Sequence, residues 1–101
     1  MNDLIYVTAV ELTPINTSRK SFYRKAHVLE DTSGIKYLKS FDTIMCSIDS
    51  KNNIKKYADV LSPTTRRHVN SFFDWYASDF NSKTFDKMQC DETPKLLIKC
   101  H

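Results

Sequence analysis

The sequence of 101 residues predicts an α+β domain: an antiparallel β-meander of three to five strands covered by one amphipathic helix, plus a short second helix. Three observations carry that expectation. Short segments rich in β-branched and aromatic residues fill the first half, separated by turn residues. A capped helical pattern with an aromatic stripe begins at Ser62. The length suits one hydrophobic core and leaves no room for a second, so residues 1–101 form one domain.

Leu4 to Leu12 alternates weakly and is rich in Ile, Tyr, Val and Thr, which reads as a first strand. Pro14 with Asn16, Thr17 and Ser18 reads as a loop. Ser21 to Glu30 is a β-type segment containing Phe22, Tyr23, Val28 and Leu29. Asp31-Thr32-Ser33-Gly34 supplies a turn with glycine where a positive φ is needed, and Ile35 to Leu38 returns as the partner strand. Phe41 to Asp49 is expected to place Ile44, Cys46 and Ile48 on one face and Thr43, Met45 and Ser47 on the other. Ser50-Lys51-Asn52-Asn53 forms a further turn, and Ile54 to Tyr57 a short closing strand.

Ser62 is a good N-cap, and Pro63 fits the first helical position because its missing N–H costs nothing there. Val69, Phe72, Phe73, Tyr76 and Phe80 fall in one sector of a helical wheel, with Ala77 at its edge. Arg67, Asn70, Ser71, Asp74 and Ser78 take the opposite face, while His68 and Trp75 stack on a flank beside Phe72. The helix is expected over about 63–79, with its stripe on the sheet. A second helical turn is expected around Thr84 to Met88. Asp91-Glu92-Thr93-Pro94 then breaks the chain before Leu96-Leu97-Ile98, an edge strand or a docked tail.

Composition removes several kinds of chemistry. With 41% hydrophobic residues and twelve aromatics the chain is expected to fold. A single glycine, Gly34, excludes Gly-rich phosphate loops, which need several for close backbone approach. The N-terminus carries Asp3, no basic cluster and no apolar run of signal-peptide length, and no window approaches the ~20 apolar residues of a membrane span. Three widely spaced cysteines suit a reducing compartment, so a soluble, intracellular protein is expected. Cys46, Cys90, Cys100, His27, His68 and His101 show neither C-x-x-C nor H-x-x-x-H spacing, and no metal site is predicted. Cys46 falls on a face expected to be buried, where a thiol acts as a small hydrophobe. A hydroxyl at Ser62 or Thr64 ahead of His68 is better read as a cap than as a nucleophile. No catalytic residue and no cofactor are assigned, and the chain is not expected to be an enzyme.

Charge is uneven. Residues 19–67 carry eleven Lys and Arg against five Asp and Glu, an excess of six, within an overall charge of +3. That suits an acidic partner or phosphates, although a solvated strand surface looks similar. Arg66, Arg67 and His68 oppose the dipole at the helix start, which makes sense if an anion binds there. The alternative is tolerated surface charge, cancelled by acids such as Asp59. Arg19, Lys20, Arg24 and Lys25 surround Phe22 and Tyr23 as a second basic patch, suited to single-stranded nucleic acid or simply solubilising core aromatics. Trp75 is either a binding anchor or a rim residue closing the core.

The order of Ser21-Phe22-Tyr23-x-Lys25-Ala26, Leu38-Lys39-Ser40-Phe41-Asp42-Thr43-Ile44, Ile48-Asp49, Ser62-x-Thr64-Thr65-x-Arg67-His68-Val69-Asn70-x-Phe72 and Lys83-Thr84-Phe85-Asp86-Lys87-Met88 resembles a family of short, largely uncharacterised proteins. These are encoded by phages and prophages of Gram-positive bacteria. The resemblance covers about 21–88, and Ser-x-Thr-Thr-x-x-His-x-x-x-Phe is its most specific element. Members often carry more glycine, and a tryptophan near the position of Phe85, where this chain departs. The resemblance implies a mobile-element origin and a small mixed α/β domain but no activity. The expected function is stoichiometric binding to a host or host-defence macromolecule, as in a counter-defence, anti-CRISPR-like inhibitor. Arg66, Arg67, His68 and Trp75 would form one side of the contact, and Arg19, Lys20, Arg24 and Lys25 a second patch. Direct nucleic-acid binding is the alternative.

Overall fold

The computed structural model describes residues 5–13 and 25–98, with the backbone alone at Ser82. The loop expected at Pro14 to Ser18, the start of the second β segment at Ser21 to Tyr23, and Cys100-His101 lie outside the described residues. The elements are β1 (Ile5–Glu11), β2 (Ala26–Asp31), β3 (Lys36–Ser40), β4 (Thr43–Ile48), β5 (Ile54–Lys56), α1 (Pro63–Tyr76), α2 (Ser82–Lys87) and β6 (Leu96–Ile98). They form the expected α+β architecture, with one six-stranded sheet in the order β5-β4-β3-β2-β1-β6. The first five strands make the antiparallel meander. The terminal segment is an edge strand, parallel to β1, with Leu96 opposite Ile5 and Ile98 opposite Val7.

Two hairpins share one device. The Asp31 carboxylate accepts the N–H groups of Ser33 (2.8 Å) and Ile35 (3.0 Å), and Gly34 takes φ +89°. Asp49 accepts those of Lys51 and Asn53, both at 2.9 Å, and Asn52 takes φ 64°. An aspartate thus bridges two and four residues on, and the left-handed residue between them is glycine or asparagine, the types that tolerate it. The β3–β4 turn lacks such signals. Phe41, expected to open a strand, instead occupies the turn at φ 55°.

The expected alternation along β4 breaks within it. Leu38 pairs with Cys46 but Lys39 pairs with Ile44, so Met45 is an extra residue, a β-bulge. Met45, Cys46 and Ile48 therefore all join the core under α1, while Ile44 crosses to the other face beside Tyr37 and Tyr57. The sequence expectation had Ile44 with Cys46 and Ile48, and Met45 opposite them; one inserted residue reverses both assignments.

Ser62 caps α1, its Oγ accepting the Thr65 N–H at 3.1 Å, with Pro63 at the first position. The helix ends at Tyr76, three residues before the expected 79, with Ala77 as cap. Its first turn holds no acid and its last no base, so charge does not complement the dipole. Packing outweighs that cost of ~0.3–1 kcal/mol per group. Val69, Phe72 and Phe73 are buried, each contributing roughly 1.5–3 kcal/mol. The buried arc is wider than the predicted stripe. His68 is wholly buried and Ser71 is 3% exposed, where the wheel had a flank and a polar face. His68 is covered by Ser40 and Phe41 of the β3–β4 turn, and further along the helix the Thr13 carbonyl, just after β1, accepts the Trp75 Nε1–H at 2.8 Å.

The second helix is capped by Asn81, whose side chain accepts the Lys83 N–H. Phe85 anchors it, fully buried and edge-on to Phe73 at 5.4 Å.

Candidate binding site

The β3–β4 turn, the start of β2 and the first turns of α1 meet at one corner of the sheet. The Phe41 N–H donates to the Lys25 carbonyl at 2.7 Å, tying the turn to the entry of β2. The Lys25 ammonium lies 6.0 Å from the centroid of the Phe41 ring, the outer limit of a cation–π contact. On the other side of Phe41 lies His68, with ring centroids 5.6 Å apart and a 48° tilt. Phe41 keeps 45% of its surface exposed. A large apolar ring in the left-handed region, half in water, is an uncommon arrangement and is costly for a residue with a Cβ.

Beneath it runs a chain of hydroxyls. Ser40 Oγ lies 2.7 Å from His68 Nδ1 and donates to Thr65 Oγ1 at 3.3 Å. Ser62 Oγ donates to the same Thr65 oxygen at 3.1 Å. The hydroxyl at His68 Nδ1 is therefore that of Ser40, from the sheet, and not that of Ser62 or Thr64, the pair weighed from the sequence. This network fixes α1 to β3 and holds His68 beneath Phe41.

The structure sorts the described residues of the predicted binding set into four groups. Lys25 and Arg67 are exposed. Trp75 is 50% exposed with its indole N–H bonded to Thr13, so it is both fixed and accessible. His68 is buried and cannot face a partner, which corrects its assignment as a surface contact. Arg66 turns to the protein, its Nη2 2.7 Å from Asp86 Oδ1. The acid that meets it comes from α2; Asp59, the acid expected nearby, pairs with Lys56. Arg19, Lys20 and Arg24 lie outside the described residues.

Sequence reasoning missed Phe41, Ser40 and Leu61, the last of which is 90% exposed just before the helix cap. Phe41 reads as a strand residue, and no local turn signal marks its role. Lys56 was also missed. It is 1% exposed, with its Nζ 2.7 Å from Asp59 Oδ1, 3.3 Å from the Asp86 carbonyl and 5.1 Å from the Phe85 ring centroid. It joins β5 to α2, and Arg66 joins α2 to α1.

Burial pushes the Cys46 thiol far up, which suits an inert core residue. Among the described residues, no group of three or more His, Cys, Asp or Glu side chains could hold a metal ion. No helix among them is long and apolar enough to cross a membrane. The corner offers a cation and an exposed ring, features suited to recognition of an anionic surface, while the hydroxyls beneath them are taken up in holding α1 to β3.

No curated protein and no solved structure matches the chain. The family of unknown function DUF8033 matches residues 10–90, and the protein belongs to that family.

Proposed function

We propose that the protein is a stoichiometric binding module that docks an acidic macromolecular surface on the corner formed by Lys25, Phe41 and the start of α1. One observation carries this reading: Phe41, an exposed ring held in a left-handed turn, has the Lys25 ammonium 6.0 Å from its centroid and rests on His68 of α1, the neighbour of Arg67 in sequence. Phe41 supplies the apolar anchor, Lys25 and Arg67 the complementary charge, and Trp75 a second anchor along the helix. The phage and prophage resemblance extends the proposal to a partner from the bacterial host or its defence systems, with the protein acting as a counter-defence inhibitor. No catalytic step is assigned to it.

Direct binding of nucleic acid by the same corner is the second reading, favoured by the stacking-competent Phe41 beside a lysine. Affinity capture from infected-host lysate, with and without nuclease, separates the two. A protein partner stays after nuclease treatment. Nucleic acid alone, lost on treatment and released steeply by salt, supports the second reading.

A further inference from the structure

The face of the sheet opposite α1 has the reverse character. Tyr37, Ser47 and Tyr57 form the floor of a cavity of about 470 Å³, walled on one side by the segment 91–94 that leads into β6. That volume lies within the usual range for small-molecule sites. Among the described residues its walls carry the carboxylates Asp49, Asp91 and Glu92 against one ammonium, Lys55. Ile5 and Ile35 supply an apolar wall.

Two features make this a shaped site. Both phenols are tied down: Tyr37 donates to Asp31 Oδ2 at 3.0 Å, and the Tyr57 hydroxyl lies 2.9 Å from Ser47 Oγ. The rings are thus held in place before any ligand arrives. Two of the carboxylates are positioned: the Asp91 N–H donates to the Lys56 carbonyl at 2.7 Å, and the Asp49 carboxylate accepts the N–H groups of Lys51 and Asn53 in the β4–β5 turn. A fixed, half-buried phenol ring at Tyr57 beside carboxylates, with an apolar wall, attracts positive charge on a short hydrocarbon stem and repels anions.

We propose that this cavity is a binding site for an organic cation, an alkylammonium or alkylguanidinium group, on the face of the sheet away from the α1 corner. The acidic charge of Asp91 also reaches the Tyr57 phenol, which is pushed up by burial and, further, by that carboxylate. The N–H groups of Asn53 and Lys51 hold the Asp49 carboxyl below its ordinary range.

Amide-resolved NMR titration of the full chain with butylammonium, acetyl-lysine-amide and the neutral 1-butanol tests the site. Saturable shifts at Tyr37, Ser47, Tyr57 and Asp91 are expected with the cations and not with butanol. Tighter binding of acetyl-lysine-amide would identify a peptide side chain as the source of the cation. Binding of butylammonium alone would identify a free amine. Asp91→Asn, which keeps the backbone bond, should weaken the cations by about tenfold or more, while Asp42→Asn in the β3–β4 turn leaves them unchanged. Equal shifts with butanol, shifts confined to other residues, no saturable shift, or an Asp91→Asn variant that binds like the parent would each overturn the proposal.

Discussion

Phe41 and His68 face each other with ring centroids 5.6 Å apart, one ring half exposed and the other wholly buried. This pairing makes the turn at Phe41 part of the helix–sheet interface. The imidazole presses on the ring from within, and Ser40, the residue before Phe41, meets the imidazole Nδ1 at 2.7 Å. The accessible corner is therefore a rigid extension of the core.

Removing the Ser40 hydroxyl tests that rigidity. Ser40→Ala takes a hydrogen-bond partner from a buried ring nitrogen and should cost about 1–3 kcal/mol. Thr65→Val should cost less, because its contact to Ser40 is longer, at 3.3 Å. Urea unfolding with an unchanged m-value reads both.

Phe41 offers a comparison of opposite sign to the usual one. Glycine is ordinarily less stable than alanine within regular structure, but at φ 55° the Cβ itself is the burden. Phe41→Gly should be more stable than Phe41→Ala by roughly 1 kcal/mol, while both lose the anchor ring. A higher midpoint for the alanine variant would contradict the backbone account.

The buried lysine gives a third test. Asp59→Ala leaves the Lys56 ammonium in the core without its ion-pair partner and should destabilise, though less than breaking a fully enclosed pair, because the Asp59 side chain is 67% exposed. Lys56→Met removes the charge and keeps the stem, and should cost less than Asp59→Ala. Chemical unfolding of the two variants side by side decides the order.

Stability should fall at both ends of the pH scale. The Asn53 N–H groups and the Lys51 N–H hold the Asp49 carboxyl below its ordinary range, and the Lys56 ammonium does the same to Asp59. A depressed folded pKa means that the unfolded chain binds more protons across that window. The contribution is complete above about pH 4 and is lost as pH falls toward the folded values. Tyr37, Tyr57 and Tyr76 are raised, chiefly by burial, so their contribution is present below about pH 10 and is lost above it. Urea midpoints across pH should show this plateau, and Asp49→Ala should flatten the acid side.

Local chemistry made much of the fold legible. The Ser62 cap, Pro63 and the aromatic stripe marked α1, and Gly34 marked its hairpin, because each signal lies within a few residues of the feature it sets. The bulge at Met45 and the turn at Phe41 were not legible, since both depend on register between strands and break the rules of their own segments. The binding corner was half visible. Lys25 and Arg67 stand out as charges, but burial of His68 and the turning of Arg66 to Asp86 depend on the β3–β4 turn and on α2, elements distant in sequence. Lys56 looked like any strand lysine, and only tertiary packing encloses it.

The most direct test compares capture of partners by the parent protein and by a Lys25→Glu, Arg67→Glu double variant, from nuclease-treated infected-host lysate, with equal urea midpoints as the control for folding. A protein recovered with the parent should be reduced by about tenfold or more with the charge-reversed variant, and lost likewise with Phe41→Ala. Recovery of the same proteins in equal amounts with all three would contradict the binding proposal.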